Sequence, residues 1–300
     1  MQPTVLSICA FGHADPLNSL WATASREFHD HHLTVEGALP PWLAGGSFYK
    51  NGPAGFEQGG RKYTQPFNGF AKIHAWHFER GNNSATEVRF SAAFLNSTLH
   101  QKCLAEDTLV PQMTFGAPEP PWTVGERLKL LNSHVYNTNV NVWKVGAKML
   151  AITDVDAFGQ FDAQSLRSSD FTWPPCPGGP PPMSKLPVFT CAHPHLLVDD
   201  SRQMVNYEIH YQPYPMPSTL YLYAASDNLM RTVLHKSRMS LLGRVPYIHA
   251  FSITRRFAVI FFYPLYYSIG CILEGRPMGT CLYPAQGSNP GLADAPPMQC

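Results

Sequence analysis

Phe70-Ala-Lys-Ile-His-Ala-Trp-His-Phe78 alternates with period 2 and is followed closely by the turn residues Arg80-Gly81-Asn82-Asn83. Successive side chains of an extended chain point to opposite faces, so Phe70, Lys72, His74, Trp76 and Phe78 share one face of a strand entering a hairpin. The same pattern continues downstream. Val140 to Val145, a turn at Gly146, and Met149 to Thr153 make a second strand pair. Pro187 to Cys191, Leu196 to Val198, Met204 to Ile209, Thr219 to Ala224, Ile248 to Ile253 and Phe257 to Tyr263 extend the series. Helical signal is confined to Pro16 to His29 and a turn or two near Val124 to Leu131. A doubly wound α/β fold is therefore disfavoured, and an all-β sandwich, barrel or propeller is expected.

Composition agrees with many short elements. The 300 residues include 28 Pro and 22 Gly, and only 14% are charged, against roughly 25% in ordinary soluble domains. A formal charge of +1 provides no basic field, so a nucleic-acid partner is not expected. The longest apolar run, Phe257 to Tyr263, stops at Pro264, far short of the ~20 residues a membrane span needs. The start has no basic region or cleavage pattern of a secretory signal. The seven cysteines show no CxxC spacing or disulfide framework, so reduced thiols in the cytoplasm are expected. The Pro-rich stretches from Pro111 to Trp122 and from Trp173 to Pro182 read as loops, since proline lacks the ladder donor. The segment from Pro277 to Cys300 carries almost no strand pattern and reads as a tail.

Thirteen histidines are many for this length, and imidazole is the commonest metal ligand. His29-Asp-His-His32 reads as an exposed polar cluster. His74 and His77 fall on opposite faces of one strand and cannot converge on one ion. Two others sit differently. His193 precedes Pro194, which holds it extended, and His249 interrupts an apolar strand. A buried imidazole needs a partner, because an unpaired buried polar group costs a few kcal/mol. From spacing alone, a hydrogen-bonded core histidine is the simpler reading of each.

Ordered motifs add to this. Gly37-Ala-Leu-Pro-Pro-Trp-Leu-Ala-Gly45 and Tyr49-Lys-Asn-Gly-Pro-Ala-Gly-Phe-Glu57 resemble the opening signature of the carotenoid cleavage oxygenase family. Phe67-Asn-Gly-Phe-Ala-Lys-Ile-His74 is similar to its FDG segment, and Asn139-Val-Asn-Val-Trp143 and Thr153-Asp-Val-Asp156 to its central strands. Ala192-His-Pro-His195 and Ile248-His-Ala-Phe-Ser-Ile-Thr254 resemble its first two iron-ligand motifs. The match runs from about Trp21 to Glu274.

The resemblance implies a seven-bladed β-propeller with Fe(II) on its axis, held by four histidines of which His193 and His249 are the first two. It implies oxidative cleavage of a carotenoid or apocarotenoid double bond by O2 to carbonyl products, hence a dioxygenase. Asp154 aligns with a family glutamate that supports a ligand histidine, and is one methylene shorter. Asn68 stands where the motif has aspartate. The Asp-Pro-Cys-Lys loop of vertebrate members is replaced by Thr114 to Trp122, so a cysteine-acylated anchor is not implied. No histidine follows His249, and the resemblance fades after Glu274. The expectation is an incomplete propeller over residues 1–274 with a divergent, disordered tail over 275–300. Two alternatives stay open: a retinoid ester isomerohydrolase using the same metal as Lewis acid, and a non-catalytic lipid-binding fragment. Lipophilic substrates imply peripheral membrane contact, and Phe261 to Ile272, with Leu265 and Tyr266, is the candidate surface.

Overall fold

The alternating segment around Ile73 lies inside a four-stranded antiparallel sheet in the computed structural model, which describes residues 22–81, 86–128, 135–168, 188–198, 203–211, 217–239 and 244–284. The turn residues Asn82 and Asn83 and the Pro-rich stretch 173–182 fall outside the described residues. In chain order the first strands are β1 (Phe28–Leu33), β2 (Ser47–Gly55), β3 (Glu57–Gln58), β4 (Arg61–Tyr63), β5 (Phe70–Arg80) and β6 (Thr86–Phe94). The sheet runs β1-β6-β5-β2, with Ile73 opposite both Asn51 and Ala93. Helix α1 (Thr98–Glu106) follows, then β7 (Pro118–Glu119), which pairs with β4, and helix α2 (Val124–Leu128).

β8 (Asn141–Val145), β9 (Lys148–Ile152) and β10 (Phe158–Phe161) form a meander in the order β10-β9-β8. The next sheet is built on β13 (Met204–His210), which carries β11 (Val188–Thr190) and β12 (His195–Leu196) on one edge. β14 (Ser218–Ala225) and β15 (Arg231–Met239) continue it on the other. Finally β16 (Arg244–Pro246), β17 (Phe251–Ile253), β18 (Ala258–Ile260), β19 (Leu265–Ser268) and β20 (Leu282–Pro284) make a β16-β19-β20 sheet and a β17-β18 hairpin, with helix α3 (Ile269–Leu273) after β19. The described chain is all-β, and its successive antiparallel sheets are the blades of an incomplete propeller.

Packing between blades explains which face of β5 points inward. Ala71, Ile73 and Ala75 are wholly buried and meet Ala93, Leu95, Met149 and Ala151. Small side chains let neighbouring sheets approach closely. The aromatic face instead packs Trp76 at a tilt against Phe48 and Phe90. A second cluster joins β13 and β14 to the last sheets through Val205, Tyr207, Ile209, Val245, Phe251 and Tyr267. Between β3 and β4, Gly59 has φ +56, and a Cβ there would lie 1.6 Å from the Asp107 carbonyl oxygen. Only glycine fits that turn.

Several local expectations are corrected. The helical pattern over Pro16 to His29 does not survive at its end, because Phe28–Leu33 is the edge strand β1, paired with β6. Its four polar residues His29 to His32 are exposed, as an edge strand tolerates. α1 was not anticipated: its apolar face is narrow, Leu99 and Cys103, and its start is set by the Ser97 side chain accepting the His100 N–H. Cys271 and Cys281 form a disulfide where free thiols were expected; Cys103 and Cys191 are free and buried. Of the segment 275–300, residues 275–284 are described, where Met278 N–H donates to Thr114 O (2.6 Å) and β20 pairs with β19, and 285–300 fall outside the described residues. No helix among the described residues is long and apolar enough to cross a membrane.

Candidate functional site

The site sits where three blades meet. β11 ends at Thr190, and the chain leaves the ladder as Cys191-Ala192-His193 before Pro194. His249 lies two residues before β17. Asp154 lies in the turn between β9 and β10, where its backbone carbonyl accepts the Thr190 N–H at 2.9 Å. His193, His249 and Asp154 are remote from one another in sequence, and the blade packing brings the three together.

His193 Nε2 lies 3.0 Å from His249 Nε2. His249 Nδ1 lies 2.8 Å from Asp154 Oδ2, and the other oxygen, Oδ1, accepts the Ala192 N–H at 3.0 Å. The shorter carboxylate still reaches its histidine because the turn carrying it is bridged directly to β11, with Val155 opposite Phe189. In neutral form, with Nδ1–H donated to the carboxylate, His249 presents a lone pair at Nε2. His193 then donates its Nε2–H, and its Nδ1 faces the Asn141 amide at 3.4 Å. The order Asn141, His193, His249, Asp154 is a directed row of polar groups ending on an anion.

The electrostatics follow from this placement. The hydrogen bond to Asp154 raises the His249 pKa above the ordinary histidine value, against partial burial. Burial, with His249 beside it, lowers that of His193. Burial pushes the Cys191 thiol up to about 12, so it stays protonated.

Some positions were not read from the sequence. Asn141 on β8 donates to the Ala192 carbonyl at 2.8 Å, Asn206 on β13 donates to the Cys191 carbonyl at 2.8 Å, and the Tyr207 hydroxyl donates to Ile248 O at 2.7 Å. Asn139 and Asn141, polar residues two apart at the entry to the strand β8, are the available signal for the first. His195 takes no part in the pair and meets the Phe251 carbonyl at 2.7 Å. His74 is also remote, stacked near Trp76. Leu265 and Tyr266 are half-buried in β19, the central strand of its sheet. In this region the exposed large apolar residues among those described lie before Pro264: Phe257, Val259, Phe261, Phe262 and Tyr263.

The chain is 21% identical over 283 residues to carotenoid cleavage dioxygenase 8, chloroplastic, of Arabidopsis thaliana, covering 86% of this chain and 44% of that protein. It is 28% identical over 144 residues to Beta,beta-carotene 15,15'-dioxygenase of Gallus gallus, covering 45% of this chain and 26% of that one. A solved mutant of Synechocystis apocarotenoid oxygenase has the same fold, with TM-score 0.69 and 22% identity over 89% of this chain and 53% of that chain. The chain spans half or less of the length of these curated relatives. The model of the RPE65 family, retinal pigment epithelial membrane protein, matches residues 21–290, and the chain belongs to that family, the carotenoid cleavage oxygenases its motifs resemble.

Proposed function

We propose that this chain is part of an Fe(II)-dependent oxygenase that cleaves a polyene C=C bond of a carotenoid or apocarotenoid, each new carbonyl taking one atom of O2. The observation that carries the reading is the convergence of His193 Nε2 and His249 Nε2 at 3.0 Å, with Asp154 turning the second ring. Relatives named as carotenoid dioxygenases support the substrate class. The donor set suits iron, since neutral imidazoles bind it without cancelling its charge. Among the described residues no group of three or more His, Cys, Asp or Glu side chains gathers to hold a metal, so His193 and His249 would supply two of its bonds. When bound, ferrous iron would supply the redox chemistry by which O2 divides the double bond. The residues of this chain do the rest of the work described: Asp154 holds the His249 ring and Asn141 faces the other imidazole, while both rings stay partly open to solvent.

Anaerobic titration of the chain with Co(II), followed by absorbance, should give one site that disappears in His193→Ala and in His249→Ala. The protein, loaded with Fe(II), should convert β-carotene or an apocarotenoid to aldehydes resolved by chromatography. Isomerised retinol from a retinyl ester, with no aldehyde from any polyene, would overturn the oxygenase reading.

A further inference from the structure

We infer that the Cys191 thiol is a positioning residue that holds the main chain of His249 against that of His193. Its sulfur accepts the His193 N–H at 3.2 Å and donates to the His249 carbonyl at 3.0 Å, so one buried atom joins both histidine-bearing segments. The sulfur has little freedom to move. Cys191 is wholly buried, its own carbonyl is held by Asn206, and the preceding Thr190 donates its hydroxyl to Tyr207 O at 2.6 Å. His249 precedes β17, and its carbonyl takes the thiol instead of a ladder N–H.

Asp154 and Cys191 act on different coordinates. The carboxylate engages the His249 ring and the Ala192 N–H and so sets how the imidazole is turned. The thiol engages the backbone on both sides and sets how far apart the two rings stand. A paired site is sensitive to displacements of about 0.5 Å, so orientation without spacing is not enough. For its functional consequence the inference rests on the reading of the two histidines as ligands; the geometry it concerns does not.

The test uses the full chain and the variants Cys191→Ser, Cys191→Ala and Cys191→Val. Serine keeps one donor and one acceptor, alanine removes both, and valine removes both while filling the space. In the metal-free protein, 15N NMR of labelled histidine should show His249 as its Nδ1–H tautomer and His193 as its Nε2–H tautomer, in the parent and in Cys191→Ser. Alanine and valine variants that keep the parent circular dichroism should show averaged tautomers at His193, while His249 keeps the Nδ1–H that Asp154 accepts. A folded alanine or valine variant with the parent pattern overturns the inference, and so does a folded serine variant that loses it. Co(II) titration supplies the second arm: affinity should fall about 10- to 100-fold in Cys191→Ala, the range for residues that support metal ligands, and remain within a few-fold in Cys191→Ser. Equal affinity in parent and Cys191→Ala overturns the inference. If the parent binds no Co(II), the ligand reading of the histidines fails while the tautomer arm still decides the role of Cys191.

Discussion

Asn68 stands where the family motif carries aspartate, and its environment gives the exchange a physical reason. The side chain is buried, accepts the Phe115 N–H at 2.9 Å through Oδ1, and donates from Nδ2 to Gly116 O at 3.0 Å. A carboxylate can only accept, so Asn68→Asp would leave the Gly116 carbonyl facing an anion. The variant should lose about 1–3 kcal/mol of stability, read as a lower urea midpoint. Asp154 was legible as a counterpart of a longer residue, but its reach was not, because that depends on the bridge of its turn to β11. Asp154→Ala removes the acceptor of both His249 Nδ1–H and the Ala192 N–H. Co(II) affinity of the chain should fall about 10- to 100-fold, with the fold retained by circular dichroism. Neither Cys191 nor Tyr207 carried a sequence signal, since buried thiols and tyrosines are ordinary core residues.

Among the elements, Pro264 divides the candidate lipid-contact surface Phe261 to Ile272. Before the proline Phe261 is 63% exposed, and Phe262 and Tyr263 are exposed with it, whereas Leu265 and Tyr266 after it are built into β19 between β16 and β20. The reason is sheet membership: among the described residues β17 and β18 pair only with each other, whereas β19 has neighbours on both sides. Tyr266→Ser should therefore lower the thermal midpoint, at a cost of about 1–2 kcal/mol. Phe257→Ser with Phe261→Ser should leave the midpoint unchanged and reduce sedimentation with lipid vesicles. Loss of sedimentation on Tyr266→Ser alone, without loss of stability, would restore the earlier assignment. Helix α2 offers a pH test. Arg61 grips the Glu126 carboxylate at 2.7 and 3.1 Å, and with the Thr123 N–H it holds the Glu126 pKa down to about 2. A depressed acid stabilises the fold above its ordinary pKa and loses that contribution as pH falls from about 4.5 towards 2. Glu126→Gln should flatten this part of the stability profile while costing about 1 kcal/mol at neutral pH, after solvent screening.

At the scale of the whole molecule, blade order decides both the site and the exposed surface. Three sheets separated by tens of residues converge on the histidine pair, and no local pattern encodes that convergence. The β17-β18 hairpin presents Phe257, Val259 and Phe261 to solvent beside open strand edges, a combination that favours association. Phe257→Lys with Phe261→Lys should raise the soluble concentration of the chain, measured by centrifugation at matched expression. By itself the sequence determined the all-β class, most strand positions and the family, because side-chain alternation and ordered motifs are local properties of the chain. It also pointed to His193 and His249. The tertiary structure alone decided that β5 buries its small-residue face, that Cys271 meets Cys281, and that a shortened carboxylate still reaches His249. These outcomes depend on distances between segments remote in sequence, set by how closely the blades pack and not by any residue pattern within one strand.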